Sequence, residues 1–215
     1  MWLSFVYFNM NTITEDVMPK LVFIIGPAGA GKTTLAKTLA KQHRPAFLDM
    51  DTLLRPAAET IMTLSGLDPT DRDSPVYKKH CRDLGYRITM DAALENLELG
   101  IDAYVIGPFT KEIEDPLWLD QELARMGASS QEVEVRAVYV YLRDDSVYRQ
   151  RIMARGSELD VWKLDHWSEF SPSLTRKTIQ WTSSASSILY WDNSEALSEE
   201  KLLQIERFIY GEKEA

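Results

Sequence analysis

The chain has 215 residues, 45% of them hydrophobic, enough for one α/β core with room for a small insertion. Its 33 acidic and 24 basic residues leave a net charge of −9. That balance excludes a general binder of nucleic acid or anionic membrane but allows a local basic pocket, and the single cysteine, Cys81, excludes a disulfide framework and points to a reducing, cytoplasmic setting.

The opening "MWLSFVYFNM" is apolar, yet it has no basic n-region and no small-residue cleavage site, and it is too short to span a bilayer. It reads as an added edge strand or contact arm, with translation starting at Met10 or Met18 as the alternative. Residues 1–19 are therefore set apart as an N-terminal extension to a domain over residues 20–215. No membrane association is expected.

The strongest signal follows, "LVFIIGPAGAGKTTLAK" at Leu21 to Lys37. Leu21 to Ile25 reads as a buried strand, and Leu35, Leu39 and Ala40 recur at helical spacing. Between them Gly26, Gly31, Lys32 and Thr33 satisfy G-x-x-x-x-G-K-[ST]. Glycines let backbone N–H groups curl around phosphate oxygens, and the helix that follows points its positive end at the same anion. Gly26, Pro27, Ala28, Gly29, Ala30, Gly31, Lys32, Thr33 and Thr34 are thus the expected nucleotide site. Lys32 reaches the β- and γ-phosphates, and Thr33 binds Mg²⁺.

"PAFLDMDTLLRP" brings a short strand, Ala46 to Leu48, and then acidic residues on the substrate side of the sheet. Asp51 is a candidate to orient an acceptor hydroxyl, take its proton and bind Mg²⁺ through water. Its position equally suits a helix N-cap, and Asp49 is the substitute for the catalytic role. Arg55 is a candidate acceptor contact or a solvated helix residue. A long helical region runs from Pro75 to Leu99, with Tyr77, Arg82 and Tyr86 on one face that either lines an acceptor pocket or packs the core.

Gly100 closes that helix, and Tyr104 to Gly107 is the third strand, leading to Pro108 and Phe109 at the site. Asp115 and Pro116 open a helix that Gly127 closes. Val135 to Leu142 is the fourth strand. After it, Arg151 and Arg155 share one helical face, with no acid three or four residues away inside the helix to pair them. Gly156 and Ser157 break that helix before a charged stretch bearing Trp162 and Trp167. A helix, a hinge and a charged loop describe a lid over residues 144–170, with Trp181 near it. Ser171 and Pro172 open another helix, Ser187 to Trp191 is the fifth strand, and Leu197 to Ile209 is the last helix. Five buried strands separated by helices imply a parallel sheet covered on both faces, with ligands beyond the strands' carboxyl ends. There the phosphate loop, Asp49 and Asp51, Pro108 and Phe109, and Arg143 to Asp145 are expected to converge.

Three classes of phosphate-loop protein compete. A GTPase switch needs an N/T-K-x-D reader, and "TKEI" at Thr110 to Ile113 lacks the aspartate. A mechanical ATPase needs a strand ending in Asp-Glu, and none is present. A phosphotransferase needs a carboxylate near the acceptor and arginines over the transferring phosphoryl, which Asp51, Arg151 and Arg155 supply. His43, His80 and His166 have no metal-ligand spacing.

Over about residues 20–193 the sequence resembles the P-loop small-molecule kinases: gluconate and shikimate kinases, chloramphenicol phosphotransferase, zeta toxins and polynucleotide 5′-kinase. It is most similar to a group of bacterial proteins labelled AAA-family ATPase or predicted kinase, through "DMDTL", "DPTDRDSPVY", "ENLELG", a strand ending in "PF", and "RGSELDVWKL". The resemblance implies a three-layer α/β/α fold with strand order 2-3-1-4-5 and a helical lid. It also implies transfer of the γ-phosphoryl of Mg·ATP to a hydroxyl, with Asp51 as the acid and Arg151 and Arg155 as the lid arginines. Gluconate kinases and zeta toxins carry a polar substrate residue three positions after the acid. Leu54 stands there in this chain, and Arg55 follows. Arg55, Phe109 and Arg82 are the expected acceptor contacts. The expected partner is a small hydroxylated molecule rather than nucleic acid, on a monomer or homodimer. A polynucleotide 5′-kinase, or a regulatory NTP-binding module with no acceptor, are the alternatives.

Overall fold

The computed structural model describes residues 18–125, 127, 133–182 and 187–212. Of the N-terminal extension expected over residues 1–19, residues 1–17 lie outside the described residues. Five strands form the sheet: β1 (Lys20–Ile25), β2 (Ala46–Asp49), β3 (Ala103–Gly107), β4 (Glu134–Tyr141) and β5 (Ile188–Asp192). All neighbours pair in parallel, in the order β2-β3-β1-β4-β5. β1 is central, and every residue from Leu21 to Ile25 is buried.

Side chains alternate across a strand, so β1 feeds two separate cores. Leu21, Phe23 and Ile25 pack with Tyr86, Met90 and Ala93 of α4 (Asp83–Glu98), and with Leu119 and Leu123 of α5 (Trp118–Ala124). Val22 and Ile24 face the other way, toward Leu35 and Leu39 of α1 (Lys32–His43) and Ile205 and Ile209 of α9 (Glu199–Tyr210). A third small cluster joins α2 (Met50–Leu64) to the segment before α4, through Leu54, Ala58, Met62, Tyr77 and Cys81.

The helical region from Pro75 is not one regular helix. A single turn, α3 (Pro75–Tyr77), leads into a π-helical stretch, Lys78–Arg82, and then into α4. The wider π turn inserts an extra residue, and such turns are frequent at functional sites. After β4, α6 (Asp145–Arg155) ends at Gly156, and the short helices α7 (Val161–Asp165) and α8 (Trp167–Phe170) follow.

Two expected helices are shorter than their sequence signals. Asp115 does not cap α5. Its Oδ1 accepts from the Leu117 amide at 3.0 Å, closing a turn, and the helix starts at Trp118. Ser171 and Pro172 open only a 3₁₀ turn, Ser171–Leu174. The chain beyond stays extended because its amides are taken elsewhere: Lys177 donates to the Tyr139 hydroxyl, Ile179 to the Tyr190 hydroxyl, and Gln180 to the Ile113 carbonyl. That path buries Trp181 against Phe23 and Trp118, in the core and away from the region assigned to a lid.

Candidate active site

A cavity of about 930 Å³ opens at the carboxyl ends of the strands. It is walled by the loop between β1 and α1, the start of α2, the segment from Arg72 to Arg82, the end of β3, the end of α6 and the turn after β5.

The loop's shape follows from its glycines. Gly26 has φ 138°, and a Cβ there would collide with the backbone carbonyl of Val140 on β4. Gly31 has φ 96°, and a Cβ there would meet the Asn193 amide at 2.5 Å. Only glycine fits this close against β4 and the turn after β5. Gly31 also sits at the start of α1, where no side chain caps the helix and no acid occupies the first turn. An uncapped helix start facing a cavity is an anion site. Lys32 bends back, and its Nζ donates to the Pro27 carbonyl at 2.8 Å. Burial pushes its pKa down to about 8, against the opposing pull of Asp51 and Asp49.

The two acids of "DMD" divide differently from the sequence expectation. Asp49 is the N-cap of α2, accepting from the Asp51 amide at 3.1 Å. Its other oxygen accepts from the Thr33 hydroxyl at 2.9 Å. Asp51 caps nothing. It lies exposed in the first turn of α2, and its carboxylate lines the cavity beside Asp49, Lys32 and Thr33. The capping alternative therefore belongs to Asp49.

Both arginines of α6 reach the cavity. Arg151 donates through Nη2 to the Asn193 carbonyl at 2.8 Å, tying α6 to the turn after β5. Arg155 is paired with Asp160 across the Gly156 hinge, through Nε to Oδ2 at 2.7 Å and through a shorter contact from Nη2. Asp160 is almost fully buried and also accepts from Lys163 at 2.9 Å. No acid inside α6 pairs with Arg155; its partner lies beyond the hinge.

Of the three expected acceptor contacts, Arg55 and Arg82 line the cavity and Phe109 does not. Phe109 is fully buried between Phe23, Tyr86 and Trp118, so its ring serves the core under β3, and Gly107 and Pro108 form the wall instead. Arg143 to Asp145 also stay outside. Arg143 pairs with Asp192 at 2.5 Å, and Asp144 caps α6. On the helical face suggested for an acceptor, Tyr77 and Arg82 line the cavity, while Tyr86 packs in the core.

Sequence reasoning missed Asn193. Its side-chain amide donates to the Ala30 carbonyl at 2.8 Å, closing the phosphate loop from the β5 side. The available signal was its place, the first polar residue beyond a strand's carboxyl end. Arg72, Asp73, Lys78 and Lys163 also line the cavity; "DPTDRDSPVY" and "RGSELDVWKL" contain Arg72, Asp73 and Lys163, but no spacing there marks them as site residues. Among the described residues no group of three or more His, Cys, Asp or Glu is placed to hold a metal by itself. No helix among them is long and apolar enough to cross a membrane.

Comparison with known proteins agrees with this architecture. Residues 21–169 match the family described as an AAA domain. Among solved structures, a candidate kinase from Chloroflexus aurantiacus j-10-fl superposes with a TM-score of 0.62 at 16% identity, covering 89% of this chain and 98% of that one. An unliganded sugar kinase from Janibacter sp. HTCC2649 gives 0.58 at 15% identity, over 90% and 96%. At these identities the likeness is one of fold. Matches to curated proteins are local. A shikimate kinase of Francisella tularensis subsp. novicida is 47% identical over 38 residues, 18% of this chain and 22% of the relative. A polynucleotide 5′-hydroxyl-kinase GRC3 of Debaryomyces hansenii is 39% identical over 57 residues, 24% of this chain and 8% of the relative. The chain thus spans less than a quarter of these curated relatives. With the family model matched over more than two thirds of its length, the chain belongs to the AAA-domain family and has the P-loop fold of the small-molecule kinases.

Proposed function

We propose that the protein transfers the γ-phosphoryl group of Mg·ATP to a hydroxyl group of a small molecule. The observation that carries this reading is one cavity lined jointly by the phosphate loop, the exposed carboxylate of Asp51 and the arginines of α6. The residues fit a metal-nucleotide. The α1 start is uncapped and free of acids, and Thr33 and Asp49 already present two oxygens at 2.9 Å. A magnesium site of one or two carboxylates completed by phosphates and water needs no larger protein cage. Thr33 and Asp49 would hold the ion, with Asp51 acting through water. When bound, Mg²⁺ would supply neutralisation of phosphate charge.

The chain's own groups do the rest. Backbone N–H groups from Gly29 to Thr34 cradle the phosphates, and Lys32 straightens from Pro27 toward the γ-phosphate. Asp51, free of capping duty, orients the acceptor hydroxyl and takes its proton. Arg151 and Arg155 spread the charge of the transferring phosphoryl, as planar donors do at a developing anion. Residues 144–170 act as a lid hinged at Gly156.

An acceptor-dependent ADP-release screen tests the reading, using sugars, aminoglycosides, nucleosides, amino alcohols and 5′-hydroxyl oligonucleotides. Release driven by a small hydroxylated compound is the expected result. A net charge of −9 disfavours gathering a polyanion, so the oligonucleotides should be inert. Salt-sensitive labelling of the oligonucleotide would convert the assignment to a nucleic-acid-end kinase. Nucleotide binding with no acceptor-dependent release would leave a regulatory module.

A further inference from the structure

The peptide group joining Ala30 to Gly31 stands at the end of the phosphate loop, just before α1 begins. Its carbonyl is held from outside the loop. The Asn193 side-chain nitrogen donates to it at 2.8 Å, and Arg151 Nη1 reaches it at 3.5 Å. A carbonyl only accepts, so the Asn193 amide nitrogen and not its oxygen must face Ala30. The fit is close, because a Cβ on Gly31 would meet that nitrogen at 2.5 Å.

Asn193 is anchored before its side chain does anything. Its backbone amide donates to the Tyr141 carbonyl at 2.8 Å, which carries the pairing of β4 and β5 one residue past the strand. Its backbone carbonyl accepts from Arg151 Nη2 at 2.8 Å. The side chain thus projects from a backbone tied to the sheet on one side and to α6 on the other.

The loop cannot supply that rigidity itself. Gly29 and Gly31 have φ of 80° and 96°, and residues without a Cβ rotate between conformations at little cost. The peptide between Ala30 and Gly31 is trans and planar, so its C=O and N–H point in opposite directions. Whatever fixes the Ala30 carbonyl therefore fixes the direction of the Gly31 N–H. No side chain caps this helix start, so nothing on α1 competes for that direction.

Resting on the nucleotide-binding part of the proposed function, we infer that Asn193 is a positioning residue: by holding the Ala30 carbonyl it aims the Gly31 N–H at the nucleotide's phosphates. Arg151 shares the carbonyl only at the limit of hydrogen-bond distance, and on the proposed function it also serves the transferring phosphoryl. Asn193 has no charge to be drawn away, so it keeps the peptide oriented when Arg151 moves. The fixed glycine of the loop motif and an asparagine more than 160 positions later then form one device.

The test uses Asn193→Leu, which keeps the size of the side chain and removes the donor, and Asn193→Ser, which keeps a shorter donor. Titration calorimetry with ADP and with inorganic tripolyphosphate reads the affinity. Asn193→Leu should weaken both by about 10-fold, and Asn193→Ser should fall between it and the wild type. Nitrogen-15 glycine labelling reads the aim itself. Tripolyphosphate should move the Gly31 amide proton of the wild type downfield, as donation to an anion does, and should move it less in Asn193→Leu. Melts without ligand show which variants fold, and Asn193→Ser carries the comparison if Asn193→Leu does not. Wild-type affinity and an undiminished Gly31 shift in the variants overturn the inference. So does a loss of affinity with the Gly31 shift unchanged, because Asn193 would then act by some route other than this peptide. Both outcomes leave the nucleotide site standing. Binding of neither ligand by the wild type overturns the site and the proposed function together.

Discussion

Asp49 is buried at the end of β2 with both oxygens engaged, whereas Asp51, two residues on, is exposed to the cavity and caps nothing. Substituting each should therefore fail differently. Asp51→Asn should leave the melting temperature and nucleotide affinity near wild type and lower kcat by about 10²- to 10⁴-fold, the scale of a lost general base. Asp49→Ala should lose the cap as well, about 1 kcal/mol, and should raise the magnesium needed for half-maximal activity. Paired thermal melts and magnesium titrations separate them; if Asp51→Asn turns over normally, Asp51 is not the base. Lys32 offers a test through stability. Its pKa falls from 10.5 to about 8 because the ammonium is buried. Between those values the unfolded chain holds more protons than the folded one, so this group's effect on stability is most unfavourable below about 8 and fades as pH rises through the window. Lys32→Met should raise the melting temperature of the nucleotide-free protein at neutral pH by roughly 2–8 °C, and the gain should shrink toward the unfolded lysine value. Calorimetry across that range checks it. A variant that melts lower at neutral pH would show that the Pro27 hydrogen bond outweighs the burial.

At the scale of elements, α6 is the member that touches both ends of the site. Its arginines are one turn apart but hold different things. Arg151 fastens the turn after β5 through the Asn193 carbonyl, and Arg155 is fastened to Asp160 beyond the hinge. Arg151→Ala should therefore weaken nucleotide binding as well as lower kcat. Arg155→Ala should lower kcat by about 10²-fold or more while leaving the ADP dissociation constant nearly unchanged. Steady-state kinetics with ADP titration calorimetry resolve the two, and equal effects on both constants from both variants would refute the division. The helix of α6 was legible because the face shared by Arg151 and Arg155 is local, but its start was not, since Asp144, expected at the site, caps the helix instead. The partner of Arg155 was not, because Asp160 lies across a glycine hinge. Local signals misled for the same reason elsewhere. Asp115 and Pro116 carry the chemistry of a helix start, yet the carboxylate closes a turn onto Leu117. Beyond Pro172 the chain stays extended because tyrosine hydroxyls of β4 and β5 claim its amides. Phe109 follows a strand as a site residue would, but its ring turns into the aromatic cluster under Phe23.

For the whole molecule, the sheet was readable because a glycine-rich loop after a central strand constrains everything around it. Gly26 against Val140 places β4 beside β1, and the five apolar runs then fill the order β2-β3-β1-β4-β5. Stability is uneven across this frame. β1 and β3 are buried along nearly their whole length, whereas α7 and α8 have no fully buried residue, and Met153, Val161 and Trp162 are exposed. The main polar anchor there is Asp160, held between Arg155 and Lys163. A segment with few buried contacts opens at low free-energy cost, and segments that close over ligands come from that class. On the proposed function nucleotide phosphates would compete with Asp160 for Arg155, so binding should move α7 and α8 relative to the sheet. Hydrogen exchange should then show residues 144–170 and the turn at 192–197 becoming protected with a non-hydrolysable Mg·ATP analogue, while amides of β1, β3 and β4 exchange as slowly as before. Asp160→Asn should raise exchange in 158–165 without nucleotide, because it releases both cations. Saturating nucleotide with unchanged exchange across 144–170 would make this region a fixed wall of the cavity and would remove the lid from the mechanism.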